Sequence, residues 1–290
     1  VGGLVAPRVA VIAALLVLTA AACGSADLPQ SVAPPSTTTT TPPTPEELEA
    51  ALDPTCVAGG EVEYGTTVQA VESAGVTRAY LQHIPASYEG VGMPVVVALH
   101  HDTGDAQADL DEQGLVDSSE AHGFVLLAPQ AAGEDAVWDT SEASADVAMV
   151  ADVLDQAATA FCAESERVYV LGSGDGSDLA GRLACDLSTQ VAAVALVGVV
   201  PDPDPCAQER PVPIVALPGF DADFTPWVER YECDATPVQV PFEGGTIGDI
   251  QADYEGCVEG AAIQSLTVLD LVALNDAIWA FFAAHPLSAA

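Results

Sequence analysis

Gly172-Ser173-Gly174-Asp175-Gly176 is the stretch of this 290-residue chain whose residue types and spacing bear most directly on chemistry. It follows Val168 to Leu171, a β-branched and aromatic run too short for a helix. It precedes Leu179, Leu183 and Leu187 at helical spacing. Strand, tight turn and helix in that order present a nucleophilic serine when the turn reads Gly-x-Ser-x-Gly. Here both outer glycines are in place and the middle residue is Gly174. The pattern predicts a scaffold for acyl transfer without its attacking hydroxyl.

A hydrolase needs a nucleophile, a base within hydrogen-bond reach and a group that orients the base. The substitutes nearest the turn are weak. Ser173 and Ser177 flank Gly174, but neither has glycines two residues to each side. Ser173 reads as a turn residue and Ser177 as a helix N-cap. His100-His101-Asp102-Thr103-Gly104 forms a polar loop at the end of an apolar run. His100 there reads as a loop stabiliser. His101, Asp102 and Asp105 are the one small cluster near the expected cleft mouth, with too few ligands for a defined metal geometry. No metal and no cofactor are expected. Asp221 and Asp223 lie in a turn that could reach the same cleft. Trp138 and Trp227 read as loop residues near the mouth; burial is their default, and an aromatic-lined cleft there would suit a sugar or phenolic ligand.

The elements that must position these residues alternate. Strands are expected at 78–85, 94–100, 124–129, 168–171, 191–200, 212–217 and 262–269, with an irregular or edge strand at 238–245. Helices are expected at 109–122, at 146–161, after the glycine turn, at 227–231 and at 274–285. Alternation of this kind implies an α/β domain, a mostly parallel central sheet with helices on both faces.

Residues 1–22 carry Arg8, an apolar run from Val9 to Leu18 and then small alanines, which reads as a secretory signal peptide. Cys23 follows the small residues and is the expected lipid anchor. Residues 23–45 are the lipidated cysteine and a Thr/Pro-rich tether, which could reach on the order of 70 Å when extended. Residues 46–290 are left for the domain. The expected location is extracytoplasmic, at the membrane through Cys23; the alternative is an ordinary signal cleaved near Ala22, a secreted chain and a spare thiol at Cys23.

Forty-three acids face six arginines, and the formal net charge is −37. That excludes nucleic acid as a partner and disfavours docking on anionic lipid. Of seven cysteines, lipidation of Cys23 removes the odd one. Cys56, Cys162, Cys185, Cys206, Cys233 and Cys257 remain. They form no C-x-x-C pairs, which speaks against zinc and for disulfides, among which spacing alone does not choose.

Several pieces together resemble the secreted polyhydroxybutyrate depolymerase and feruloyl esterase family of α/β-hydrolases, including actinobacterial lipoprotein esterases. They are Arg78-x-Tyr-Leu-x-His-x-Pro85, Pro94 to His100, Gly123-Phe-x-x-x-x-Pro129, Asp146-Val147 and Phe161-Cys162. Arg167-Val-Tyr-Val-x-Gly172, Arg182-Leu-Ala-Cys185, Pro211-Val-Pro213, Cys233, Cys257 and Ala277 to Pro286 follow in the right order. The resemblance implies an α/β-hydrolase fold. It places the nucleophile at Gly174, the acid at Ala222 and the base in a loop that the run Thr267 to Leu274 lacks. It also puts His101 where the oxyanion loop carries glycine, and gives His83, His122 and His285 structural places. It suggests Cys233 with Cys257, then Cys185 with Cys206, and Cys56 with Cys162 by elimination.

The expectation is a cell-surface pseudo-esterase, with an ester, sugar or phenolic ligand or a protein partner in the cleft. One alternative is an active carboxylesterase rebuilt from Ser173 or Ser177, Asp221 or Asp223, and His100 or His101. The other is a purely structural surface protein.

Overall fold

The computed structural model describes residues 62–101, 104–133, 136–141, 143–219, 222–242 and 249–287. The signal peptide, Cys23, the tether, Cys56, Asp102 and Asp221 lie outside the described residues.

Two antiparallel strands come first, β1 (Gly65–Ser73) and β2 (Val76–Ile84), joined by a tight turn. β3 (Met93–Leu99) is buried along its whole length, which is why its sequence is an unbroken apolar run rather than an alternating one. Two helices follow, α1 (Ala106–Glu112) and α2 (Leu115–His122), then β4 (Val125–Pro129). α3 (Ala145–Phe161), β5 (Ala163–Ser173) and α4 (Gly176–Asp186) build the central unit. β6 (Ala193–Gly198), β7 (Ile214–Pro218) and α5 (Thr225–Arg230) lead to the hairpin of β8 (Val238–Pro241) and β9 (Ile250–Tyr254). β10 (Ile263–Thr267) and α6 (Leu271–Ala284) close the domain.

Among the described residues the strands form one sheet in the order β1-β2-β4-β3-β5-β6-β7-β10-β9-β8. The middle, from β4 to β10, is parallel, and antiparallel pairs flank it on each side. Successive side chains of β3 go to different cores: Val95, Val97 and Leu99 pack with α3 and α4, whereas Val96 and Ala98 pack with α1, α2 and α6. Burying Val or Leu in such cores is worth about 1.5–3 kcal/mol each. Among the described residues no helix is long and apolar enough to cross a membrane.

Three expectations are corrected. The helix expected over 109–122 is two helices, because Gly114 takes a left-handed conformation (φ 62°) between them. β1 and β9 were not expected. Both are flanking antiparallel strands, and β1 alternates in burial along most of its length rather than running apolar. α6 begins at Leu271 rather than Leu274, since the Asp270 carboxylate caps it by accepting from the Ala273 amide.

Disulfides join Cys185 to Cys206 and Cys233 to Cys257. The first ties α4 to the loop after β6, and the second holds the end of α5 to the segment after β9. Cys162 is disulfide-bonded as well, and its expected partner lies outside the described residues.

Candidate functional site: a glycine elbow without a nucleophile

β5 delivers the chain into a turn too tight for any side chain at its two outer positions. A Cβ on Gly172 would lie 2.3 Å from the Gly176 carbonyl oxygen, and one on Gly176 would lie 2.3 Å from that of Leu99. Gly174, between them, has φ +53°, a strained conformation for any residue with a side chain. The turn is pinned from below by hydrogen bonds. Gly174 N donates to the Val197 carbonyl at 2.9 Å, and Ser177 Oγ donates to the Gly172 carbonyl at 2.8 Å while accepting from Val197 N at 3.2 Å.

The candidate substitutes are spread among other tasks. Ser177 is fully buried in that network, and Asp175 rather than Ser177 occupies the helix N-cap position, so the N-cap expectation is corrected. Ser173 is buried too, and its Oγ accepts from Gln113 Nε2 at 3.0 Å. The Gln113 carbonyl in turn accepts from Asn275 Nδ2 at 2.9 Å, so the elbow is tied to α6. His100 is held at both ring nitrogens. Nδ1 meets the His101 carbonyl at 2.8 Å, which fixes the proton there, and Nε2 accepts from Ala131 N at 3.1 Å. Its ring packs on Trp138, whose indole donates to the His100 carbonyl at 2.8 Å. Asp223 turns its carboxylate to Thr225, whose hydroxyl first and whose amide, at 2.9 Å, second lower its pKa. Ala222, where the resemblance places the acid, offers no carboxylate. Only Val268, Leu269 and Asp270 separate β10 from α6, so the connection holds no histidine.

Trp138 and Trp227 follow their default of burial rather than the aromatic-lined cleft. Trp138 is buried, and Trp227 is buried on α5 rather than exposed on a loop, with its indole donating to the Pro201 carbonyl at 2.7 Å. His83 bonds Thr66 and Glu120, His122 bonds Asp276, and His285 bonds the Phe281 carbonyl.

The arrangement that sequence reasoning missed is a pair. His101 Nδ1 sits 2.7 Å from Asp109 Oδ1, and Asp109 is 1% exposed. His101 therefore turns to Asp109 and not to Asp105, which caps α1 by accepting from Ala108 N at 2.7 Å. Among the described residues no three His, Cys, Asp or Glu side chains gather as metal ligands. The signal was available: Ala106, Asp109 and Leu110 share the buried stripe of α1, an acid where the spacing demands an apolar residue. The Cβ of His101 faces Gly174 directly; a Cβ built on Gly174 would be 3.0 Å away. The His101 ring and the Asp109 carboxylate that holds it thus stand beside the glycine turn.

A cavity of about 560 Å³ opens nearby, beside Asp223, lined by Asp202, Asp204, Thr225, Glu229 and Arg230 among others. None of its lining residues belongs to the elbow.

No protein-family model matches the chain. In sequence it is 32% identical over 174 residues to the "Putative esterase NocK" of Nocardia uniformis subsp. tsuyamanensis, covering 54% of this chain and 48% of that one. It is 27% identical over 113 residues to acetylxylan esterase A of Emericella nidulans, covering 36% of this chain and 37% of the relative. The chain thus spans less than half the length of these curated relatives. In structure it is similar to an acetyl xylan esterase from Aspergillus awamori, with TM-score 0.59 and 13% identity, covering 75% of this chain and 99% of that one. Sequence likeness to esterases and the shared fold agree: the described residues form an α/β domain with the fold of that esterase.

Proposed function

We propose that the protein is a surface lipoprotein whose domain, of the polyhydroxybutyrate depolymerase and feruloyl esterase kind, binds a ligand or partner in the cleft without covalent catalysis. The observation that carries this reading is Gly174. The turn that presents a nucleophile is built in full around it, down to the two outer glycines that no side chain could replace. An acyl-enzyme needs an oxygen or sulfur at that point, and glycine supplies none. Lost function with a retained scaffold is the pattern of a site kept for binding. The disulfides fit an oxidising compartment outside the cytoplasm. The signal-like start, Cys23 and the Thr/Pro-rich tether supply the anchoring half of the reading.

Two experiments test it. Thermal-shift screening of the domain with feruloylated sugars and hydroxyacid oligomers is expected to return a stabilising ligand. A flat response across both sets favours the purely structural alternative. Metabolic labelling with a palmitate analogue is expected to tag the wild type and not Cys23→Ser. An unlabelled, freely secreted wild type removes the lipoprotein half.

A further inference from the structure

We propose that β1 is a docking edge for a second copy of this chain, the two β1 strands pairing antiparallel about Gln69 in a two-fold dimer. β2, β4 and β3 lie between β1 and the strand that carries the elbow, so the inference stands apart from the ligand-binding reading.

Among the described residues β1 ends the sheet, and one of its two edges has no strand beside it. In an antiparallel ladder alternate residues turn N–H and C=O to either side, and on an end strand the outward groups lack a ladder partner. The two ends of this sheet differ. β8 is four residues long and carries Pro241, and both features discourage strand addition. β1 runs for nine residues, Gly65 to Ser73, with no proline, no lysine and no bulge in its register with β2. None of the usual guards is present. The two faces of β1 differ as well. α3 packs on one, where Val71 joins the core. On the other, Thr66, Val68, Ala70 and the cross-strand Ala79 are exposed, Val68 by 74%.

Charge selects the occupant. With a net charge of −37, two copies repel over most of their surface. β1 holds a single charged residue, Glu72, which accepts from the Thr77 hydroxyl within its own hairpin. The strand is therefore a neutral strip where an acidic copy can approach, without a group of acids to draw a basic peptide. One antiparallel register pairs all nine residues of both strands, and it is centred on Gln69. That register sets Glu72 opposite the partner's Thr66 and Val68 opposite the partner's Ala70, so no like charges meet. Exposed residues fall opposite exposed ones, and the more buried opposite the more buried. Such a contact is isologous and closes as a dimer, since the guarded β8 edge does not extend it.

The test uses the mature chain carrying Cys23→Ser, so that no disulfide through that thiol links two copies. Sedimentation over roughly a hundred-fold range of concentration is expected to show a monomer–dimer equilibrium. It should tighten as salt rises, because screening removes the repulsion. A complex held by opposite charges would loosen instead. Gln69→Glu and Gln69→Arg each bring like charges together on the two-fold, and each is expected to weaken dimerisation about five-fold. Mixing the two variants brings opposite charges together there and should restore association. Hydrogen exchange on the chain without a Gln69 substitution supplies a second readout. Outward β1 amides should be more protected in concentrated than in dilute protein, and β8 amides equally in both. A monomer at every concentration and salt, a dimer indifferent to either variant, or a mixture that fails to recover overturns the inference. So does β1 protection independent of concentration, since the edge is then covered within one chain.

Discussion

The Cβ of His101 occupies the space that a side chain on Gly174 would enter, with a built Cβ only 3.0 Å away. The bare elbow and the histidine above it are sterically linked. Gly174→Ser should therefore destabilise the domain, through the φ of +53° and through the contact, by about 1–3 kcal/mol. His101→Gly in the same chain should recover part of that loss. Thermal melts of the two single variants and the double variant read the coupling. Strict additivity would show that the two residues do not share the space.

Ser173 and Ser177 should behave as structural residues. Ser177→Ala removes hydrogen bonds to the Gly172 carbonyl and from Val197 N inside the core, so a loss of about 1–3 kcal/mol is expected. Ser173→Ala breaks one tie to Gln113 and should cost less. Denaturant melts check the ranking, and neither variant should change reactivity toward serine-directed probes.

The two described disulfides brace the part of the fold with the least regular structure. Replacing either pair by serines should cost about 2–5 kcal/mol. Peptide mapping without reductant should recover Cys185 with Cys206, Cys233 with Cys257, and Cys162 with Cys56. Cys162 joined to any other cysteine would refute the last pair.

Alkaline pH should reveal Tyr231. Burial pushes its phenol up from 10.0 to about 12, although its hydroxyl exchanges hydrogen bonds with Val212. A folded pKa above the unfolded one means full stability below about pH 10 and progressive loss as pH rises from there towards about 12, because the unfolded chain gives up the proton first. Unfolding free energies from denaturant melts across this range should fall by of order 2–3 kcal/mol more in the wild type than in Tyr231→Phe. Parallel curves would assign the loss elsewhere.

The parallel middle of the sheet was legible because strands such as β3 are buried on both faces and read as unbroken apolar runs. The flanking strands were harder. β1 turns Val68 and Ala70 outward and keeps Thr67 and Gln69 on its half-buried side, so its sequence shows no apolar alternation, and β9 is five residues long with one acid before it, Asp249, and one within it, Asp253. The elbow could be read from its glycines alone, since close backbone approach leaves one residue type. The His101–Asp109 pair could not be read as a pair, because eight residues and a change of element separate its members. Only the fold of the loop onto α1 brings them to 2.7 Å.

On the proposed reading this elbow supports no serine chemistry, and one assay meets that directly. The purified mature chain, wild type beside Gly174→Ser, is incubated with a fluorophosphonate probe and with para-nitrophenyl acetate. Triad members act as a unit, and losing one costs roughly 10⁴–10⁶ in turnover, so a lone serine returned to the elbow gains little. No labelling and no inhibitor-sensitive turnover are expected in either protein. Labelling of the wild type, with turnover abolished by Ser173→Ala or Ser177→Ala, would contradict it.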